Sequence, residues 1–329
     1  MSGGLEGLGE FGLIDRWTRG LPQSGEVLLG VGDDCAVVRV GDKELLVTSD
    51  ASVESVHFDR RWCSLEDAGW RAMAGAVSDI AAMGGAPLCA TVSAALPPGM
   101  ALAEAEALYA GLRDAAAATG VSIVGGDTTR AAEKIFLDVT VLGTVTAGRY
   151  VARSGARPGD VLAVTGWPGR SAAALRALMK GVKPAALPAE LVAAHLRPMP
   201  RLAAGQWLAR QSTVHAMIDV SDGIVQDAGH LVERGGVGLR INTSKALSDE
   251  LLVQCCAAQG LDVRQCFWAG GEDYELLTAV AVDAFSEVKR SFETELGLPL
   301  NAIGAFTEAN APMEVLGELG AGGFDHFRA

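Results

Sequence analysis

Read for hydrophobic and polar positions, the chain breaks into short apolar runs, most of which stop at an acidic turn. Leu45–Thr48 predicts a short strand that delivers Asp50 at its end. Val121–Val124 predicts a second, ending on Gly125-Gly126-Asp127, and Ala216–Val220 a third, feeding Ser221-Asp222-Gly223. Ile135–Val145 is longer, and Ile135, Leu137, Val139 and Val141 alternate onto one face, the mark of a half-buried strand. Asp160–Val164, Val237–Ile241, Tyr274–Val282 and Leu300–Ala305 complete the predicted strands. Helical spacing predicts Ser64–Met83, with Ser64 and Asp67 as a capping pair and Gly84-Gly85 as the stop. Further helices are predicted over Ala101–Thr119, Ser171–Met179, from Gly223 to Arg234, over Ser248–Ala258 and over Asp283–Leu296.

Strands and helices alternate, yet pairs of strands also follow one another without a helix between them. That order predicts an α+β protein of two α/β domains, each a mixed sheet with helices on one side. The turn-rich stretch Arg153–Asp160 places the boundary just before it, giving domains 1–148 and 149–329. A length of 329 residues fits two such units.

Composition changes this picture only at the surface. Apolar residues make up 49%, which supplies a large core. A net charge of −13 argues against a nucleic-acid or anionic-membrane partner. The six cysteines, Cys35, Cys63, Cys89, Cys255, Cys256 and Cys266, show no ligand spacing. With no signal peptide and no apolar run long enough to span a bilayer, a cytoplasmic protein with reduced thiols is expected.

The candidate chemistry lies in the acidic turns. They read Gly30-Val-Gly-Asp-Asp34, Thr48-Ser49-Asp50, Ser78-Asp79, Gly125-Gly126-Asp127, Asp219-Val-Ser221-Asp222-Gly223 and Gly270-Gly-Glu272-Asp-Tyr-Glu275. Carboxylates brought to one place repel unless cations lie between them, and oxygen-only ligand sets suit Mg²⁺ with phosphate. Taken singly, the first reads better as a solvated hairpin turn and the fifth as a turn with Ser221 as a helix cap. Their recurrence after apolar runs favours a shared Mg²⁺ and phosphate site. Asp79 is the sharpest, because the stretch Ala72–Met83 around it is apolar on all sides. An ionised carboxylate there is costly unless paired or on metal, and no Lys or Arg follows Arg71 in that helix. Gly126 lets backbone approach a phosphate closely. Arg153 opens the junction loop and is a candidate phosphate contact, or else a solvated arginine. No phosphate loop with Gly-Lys-[Ser/Thr] occurs, nor the His-Arg-Asp and Asp-Phe-Gly pair of protein kinases. Gly7–Gly12 matches GxGxxG but follows no strand, so it is not read as a dinucleotide fingerprint.

Taken together, these segments resemble the thiamine-monophosphate kinase family. So do Gly9-Glu-Phe-Gly-Leu-Ile14, His57-Phe58 and the terminal Asp325-His-Phe327. The matches run in order from residue 9 to 327. The resemblance implies the aminoimidazole ribonucleotide synthetase-like fold, with an N-terminal domain that pairs in a homodimer and closes a β-barrel. It implies ATP-dependent phosphorylation of thiamine monophosphate to thiamine diphosphate, the last step of that cofactor's biosynthesis. It implies several Mg²⁺ ions on Asp34, Thr48, Ser49, Asp50, Asp79, Asp127, Asp219 and Asp222. It also implies ATP contacts from Tyr109, Gly126, Asp127, Arg153 and Ser221, and substrate contacts from His57, Glu272 and Phe324. Two departures stand out: Ser55 where the family often has glycine before the histidine, and a tail that offers Phe324 without the frequent tryptophan. A selenide-using member of the superfamily would carry a reactive cysteine in a glycine-rich N-terminal segment, a context neither Cys35 nor Cys63 has. A nonenzymatic nucleotide-binding regulator is the reading from another class. No strong base is predicted, because the acceptor phosphate is already anionic and transfer needs positioning and charge neutralisation.

Overall fold

The computed structural model describes residues 9–243, 249–309 and 311–317. After a first helix, α1 (Gly9–Thr18), the chain builds one six-stranded sheet from β1 (Val27–Leu29), β2 (Ala36–Val40), β3 (Lys43–Val53), β4 (Ala86–Leu96), β5 (Ser122–Arg130) and β6 (Phe136–Val145). Their order is β1-β2-β3-β6-β4-β5, antiparallel except for the β4–β5 pair. Helices α2 (Leu65–Ala82) and α3 (Leu102–Thr119) cover one face. Met73, Val77 and Ile80 of α2 meet Leu46, Val139 and Val141 of the sheet in one core. Ser64 caps α2 as expected, its hydroxyl accepting from the Asp67 amide at 3.1 Å.

The second sheet is made of β7 (Val161–Thr165), β8 (Val214–Asp219), β9 (Val237–Asn242), β10 (Leu276–Val280), β11 (Leu300–Ala309) and β12 (Met313–Leu316), in the order β12-β9-β11-β7-β10-β8. The protein thus has two α/β units with mixed sheets. Here the expectation of helices on one side fails. α4 (Arg170–Met179), α5 (Ala189–Leu196), α7 (Ile224–Gly235), α8 (Glu250–Gln259) and α9 (Val263–Ala269) pack on one face with Leu162, Val164 and Ile218. α6 (Leu202–Ala209) and α10 (Val282–Leu296) cover the other through Trp207 and Phe292 against Ala163, Met217 and Leu276. The reason is in the strands, since β10 is buried at every position and so needs cover on both faces.

Two strands of the first sheet run well beyond their predicted extents. β3 runs well past Thr48, so Asp50 lies inside it and not at its end; pairing with β6 continues from Glu44 to Val53 and holds the polar stretch extended. β5 carries Gly125-Gly126-Asp127 within it, not after it. A bulge at Val124 shifts the register, and the position of Gly126 is closed to any side chain by the Val92 carbonyl of β4. β1, β2, β4 and β12 have no predicted counterpart. The N-terminal sheet is open in the single chain, with β1 and β5 at its edges.

Candidate functional site

The site forms where α2 and β3 of the first unit meet β8 and the turns after β8 and α9 of the second. On β3, Thr48 and Asp50 share the face toward α2, two residues apart. Thr48 donates its hydroxyl to Asp79 at 2.5 Å. Asp50 reaches over Gly75 of α2, where any side chain would meet its Oδ2 at 2.7 Å. Asp219 ends β8 and accepts from the Ser78 hydroxyl at 2.6 Å. Asp34, in the turn before β2, joins them: ligand oxygens of Asp34, Asp79 and Asp219 lie within 4.8 Å of one another.

The electrostatics of this cluster are those of crowded buried acids. Burial, then the neighbouring Asp219 and Asp34, holds the Asp79 carboxyl well above the usual range. Burial and Asp34 push Asp219 up to about 7, while burial and Asp138 push Asp50 up to about 7. Among the described residues one cation meets the cluster: Arg153 donates to Asp34 at 2.6 Å, and its amide donates to Asp33 at 3.0 Å. Even so, Asp34 Oδ2 is buried with no hydrogen-bond partner. An orphaned carboxylate oxygen among three converging acids is a donor set that fits a hard divalent cation.

Beside the cluster lies a cavity of about 470 Å³ whose wall includes Asp50, His57, Asp79, Arg153, Asp219 and Ser221. The turns Ser221–Gly223 and Gly270–Tyr274 zip together along its edge. The Glu272 amide donates to the Ser221 carbonyl at 2.7 Å and the Tyr274 amide to the Val220 carbonyl at 3.0 Å. Glu272 and Tyr274 both hold positive φ, of 60° and 50°, a strained geometry for residues with side chains. Glu272 is fixed from behind by Arg71 of α2, which also donates to the carbonyls of His57 and His195.

The chain matches the model of the AIR synthase related protein N-terminal domain over residues 32–145 and that of the C-terminal domain over 157–316. It is 38% identical to a thiamine-monophosphate kinase of Mycobacterium tuberculosis over 83% of this chain and 81% of that one. It is 33% identical to one of Bacillus subtilis over 97% and 99%. A solved structure of AaThiL complexed with AMPPCP and TMP superposes with a TM-score of 0.86 at 34% identity, covering 99% of each chain. This chain belongs to the thiamine-monophosphate kinase family. It is an enzyme with the AIR synthase-like fold, and no helix among the described residues is long and apolar enough to cross a membrane. Hydrogenase maturation protein HypE of E. coli, with a TM-score of 0.68 at 23% identity, shares the fold alone.

Not every residue that the family resemblance singles out meets at this place. Asp34, Thr48, Asp50, Asp79 and Asp219 gather at the cluster, and Arg153, Ser221, Asp222, His57 and Glu272 line or border the cavity. Ser49 points the other way, its hydroxyl on Asp138 at 2.9 Å and on Thr140 at 3.0 Å. Asp127, register partner of Ser93, which is itself the partner of Asp138, falls on that same opposite face and is exposed. Gly126 and Tyr109 are exposed as well, and none of the three lines the cavity. Phe324 lies outside the described residues. Ser221 does not cap α7: Gly223 holds that position, and Asp227 accepts from the amides of Ser221, Asp222 and Gly223 at 3.0–3.2 Å. The glycine that the family often has in place of Ser55 is explained by a φ of 71° there.

Several site groups escape a reading of the sequence. Asp33 shares the turn with Asp34, and burial first and Asp34 second raise it to about 6. Arg71 and Asp227 carry no pattern of their own, and Tyr274 lies in an acidic turn without a role assigned to it. The one usable signal is that Arg71 stands at the head of the apolar stretch that holds Asp79.

Proposed function

We propose that this chain transfers the γ-phosphate of ATP to thiamine monophosphate, giving thiamine diphosphate and ADP, as the last step of thiamine diphosphate formation. The observation that carries the reading is the meeting of Asp34, Asp79 and Asp219 beside a cavity that also presents Arg153, His57 and Glu272. Mg²⁺ ions held by Asp34, Thr48, Asp50, Asp79, Asp219 and Asp222 would supply the positive charge that two polyanions need to approach each other. Arg153 adds a guanidinium on the same wall, and Ser221 offers a hydroxyl to the nucleotide. Glu272, oriented by Arg71, and His57 are assigned to the thiamine side, with Phe324 as the aromatic contact. The acceptor phosphate is anionic near neutral pH, so transfer is direct and in line, with no protein base and no phosphoenzyme.

The same reading divides the chain into a nucleotide-binding and dimerisation domain, 1–148, and a completing domain, 149–329. It places the protein in the cytoplasm as a homodimer. Support for pairing comes from β5, a nine-residue edge strand exposed along nearly all its length, which an isolated chain would leave open. Closure of a barrel between two N-terminal sheets would cover it. The roles of Tyr109, Gly126, Asp127 and Ser49 toward ATP and Mg²⁺ rest on the family resemblance and are assigned to this assembled face.

The test is a product assay on the full chain with ATP, Mg²⁺ and, in turn, thiamine, thiamine monophosphate and aminoimidazole precursors. Thiamine diphosphate should appear from the monophosphate alone; no turnover of that substrate would refute the proposal. Incubation with γ-labelled ATP and no acceptor should leave the protein unlabelled.

A further inference from the structure

A second, larger cavity, of about 770 Å³, lies at the opposite end of the N-terminal sheet, between its strand ends and α6. It shares no lining residue with the acidic site. Its wall includes Lys43 at the start of β3, Arg149 in the loop after β6, and Arg210 directly after α6. Thr144, Thr146 and Gln206 stand between them, and no Asp or Glu lines it. Among the described residues, none of the three cations has a carboxylate partner, whereas Arg71, Arg153, Arg170 and Arg201 elsewhere are each paired. The nearby buried carboxylate, Glu44, accepts from the Gly148 amide at 2.8 Å and, among the described residues, forms no ion pair with any of the three. In a protein of net charge −13, three solvent-exposed cations that line one cleft, with no acid among its lining residues, favour an anion there.

We propose that this cleft is a binding site for a phosphate-bearing anion, separate from the active site. The guanidinium forks of Arg149 and Arg210 suit the paired oxygens of a phosphate, Lys43 adds a point charge, and the threonine hydroxyls add neutral donors. The volume exceeds the need of one phosphate and takes a diphosphate or a small phosphate ester. The site also joins the two halves of the chain. Lys43 and Thr144 belong to the first and Arg149 and Arg210 to the second, where α6 sits so close to α2 that a side chain at Gly205 would meet the Ala81 carbonyl at 2.0 Å. An anion held by all three would clamp that contact.

Equilibrium dialysis of the full chain against labelled inorganic pyrophosphate tests this, in EDTA and at about 0.15 M salt, where the metal-free acidic cluster repels anions. Saturable binding of one pyrophosphate per chain is expected. The double variant Arg149→Ala/Arg210→Ala should weaken it by about tenfold or more, the scale of losing charge-assisted contacts. Arg149→Lys/Arg210→Lys, which keeps the charge and loses the fork, should bind more tightly than the alanine pair and more weakly than wild type, which separates lost charge from lost fold. Arg153→Ala, in the other cavity, should leave it unchanged. Equal binding by wild type and the alanine pair would overturn the site, as would loss in Arg153→Ala alone. Weak, unsaturating binding matched by sulfate would mean an adventitious ion only, and would overturn it equally.

Discussion

Asp79 shows how a single side chain can announce chemistry. It stands in an apolar helix, and the fold gives it a hydroxyl from Thr48 and two further acids in place of a salt bridge. Asp79→Asn keeps the shape and removes the charge, so kcat/KM should fall by about a hundredfold or more, the scale of one lost preorganised electrostatic contact. Near-normal kinetics at saturating Mg²⁺ would remove Asp79 from the proposed metal set. Arg71 acts at one remove, because it touches Glu272 and not the clustered acids Asp34, Asp79 and Asp219. Arg71→Met should raise KM for thiamine monophosphate by roughly tenfold to a hundredfold, with KM for ATP little changed and partial recovery in Arg71→Lys. Equal effects on both substrates would mark Arg71 as purely structural. Asp79 was legible in the sequence because burial of an acid is visible locally. Arg71 was not, since its partner lies 201 positions along the chain.

The helices and strands were legible where one periodicity held for several turns. α2, α3, β6 and α10 appear close to their expected spans. β3 and β5 outrun their local pattern because Ser49-Asp50 and Gly125-Gly126-Asp127 look like turns, whereas ladder pairing with β6 and β4 keeps them extended. α2 and α3 meet through glycine: a side chain at Gly111 would come within 1.8 Å of the Glu66 carbonyl. Gly111→Ala should therefore force the helices apart at a cost of about 1–3 kcal/mol, lowering Tm by roughly 2–10 °C, although alanine is the better helix former. A raised Tm in a thermal melt would show that this contact yields without cost.

The two units bring their buried acids together at one junction, and the stability of the folded chain should record it. A carboxyl whose folded pKa lies above its unfolded value holds its proton more tightly in the fold. Asp50 and Asp219 rise from 3.8 to about 7 and Asp33 to about 6, so without metal the folded chain binds more protons than the unfolded one across that window. Stability then falls as pH rises from about 4 to about 7. His230, lowered from 6.5 to about 4 by burial and then Arg153, and the buried His195 oppose this at the acid side. The acids outnumber them, so in EDTA the Tm should be higher near about pH 5.5 than near about pH 8. Mg²⁺ with a nonhydrolysable ATP analogue should raise Tm most at the higher pH, where the acids are ionised. A pH-independent Tm in EDTA would contradict the crowded-acid description.

The sequence by itself determined the alternation of strands and helices, the two-unit layout with mixed sheets, and the acidic turns that carry the family likeness. These are local properties: hydrophobic period, capping residues and glycine placement act over a few positions. The tertiary structure alone decided which acids meet. Strand register sets Thr48 and Asp50 against α2 while turning Ser49 toward Asp138, because neighbouring side chains on a strand point to opposite faces. It also decided that the C-terminal sheet is covered on both faces, and that Glu272 is held by Arg71. Each of these depends on contacts between distant segments, which hydrophobic burial draws together and no local pattern encodes.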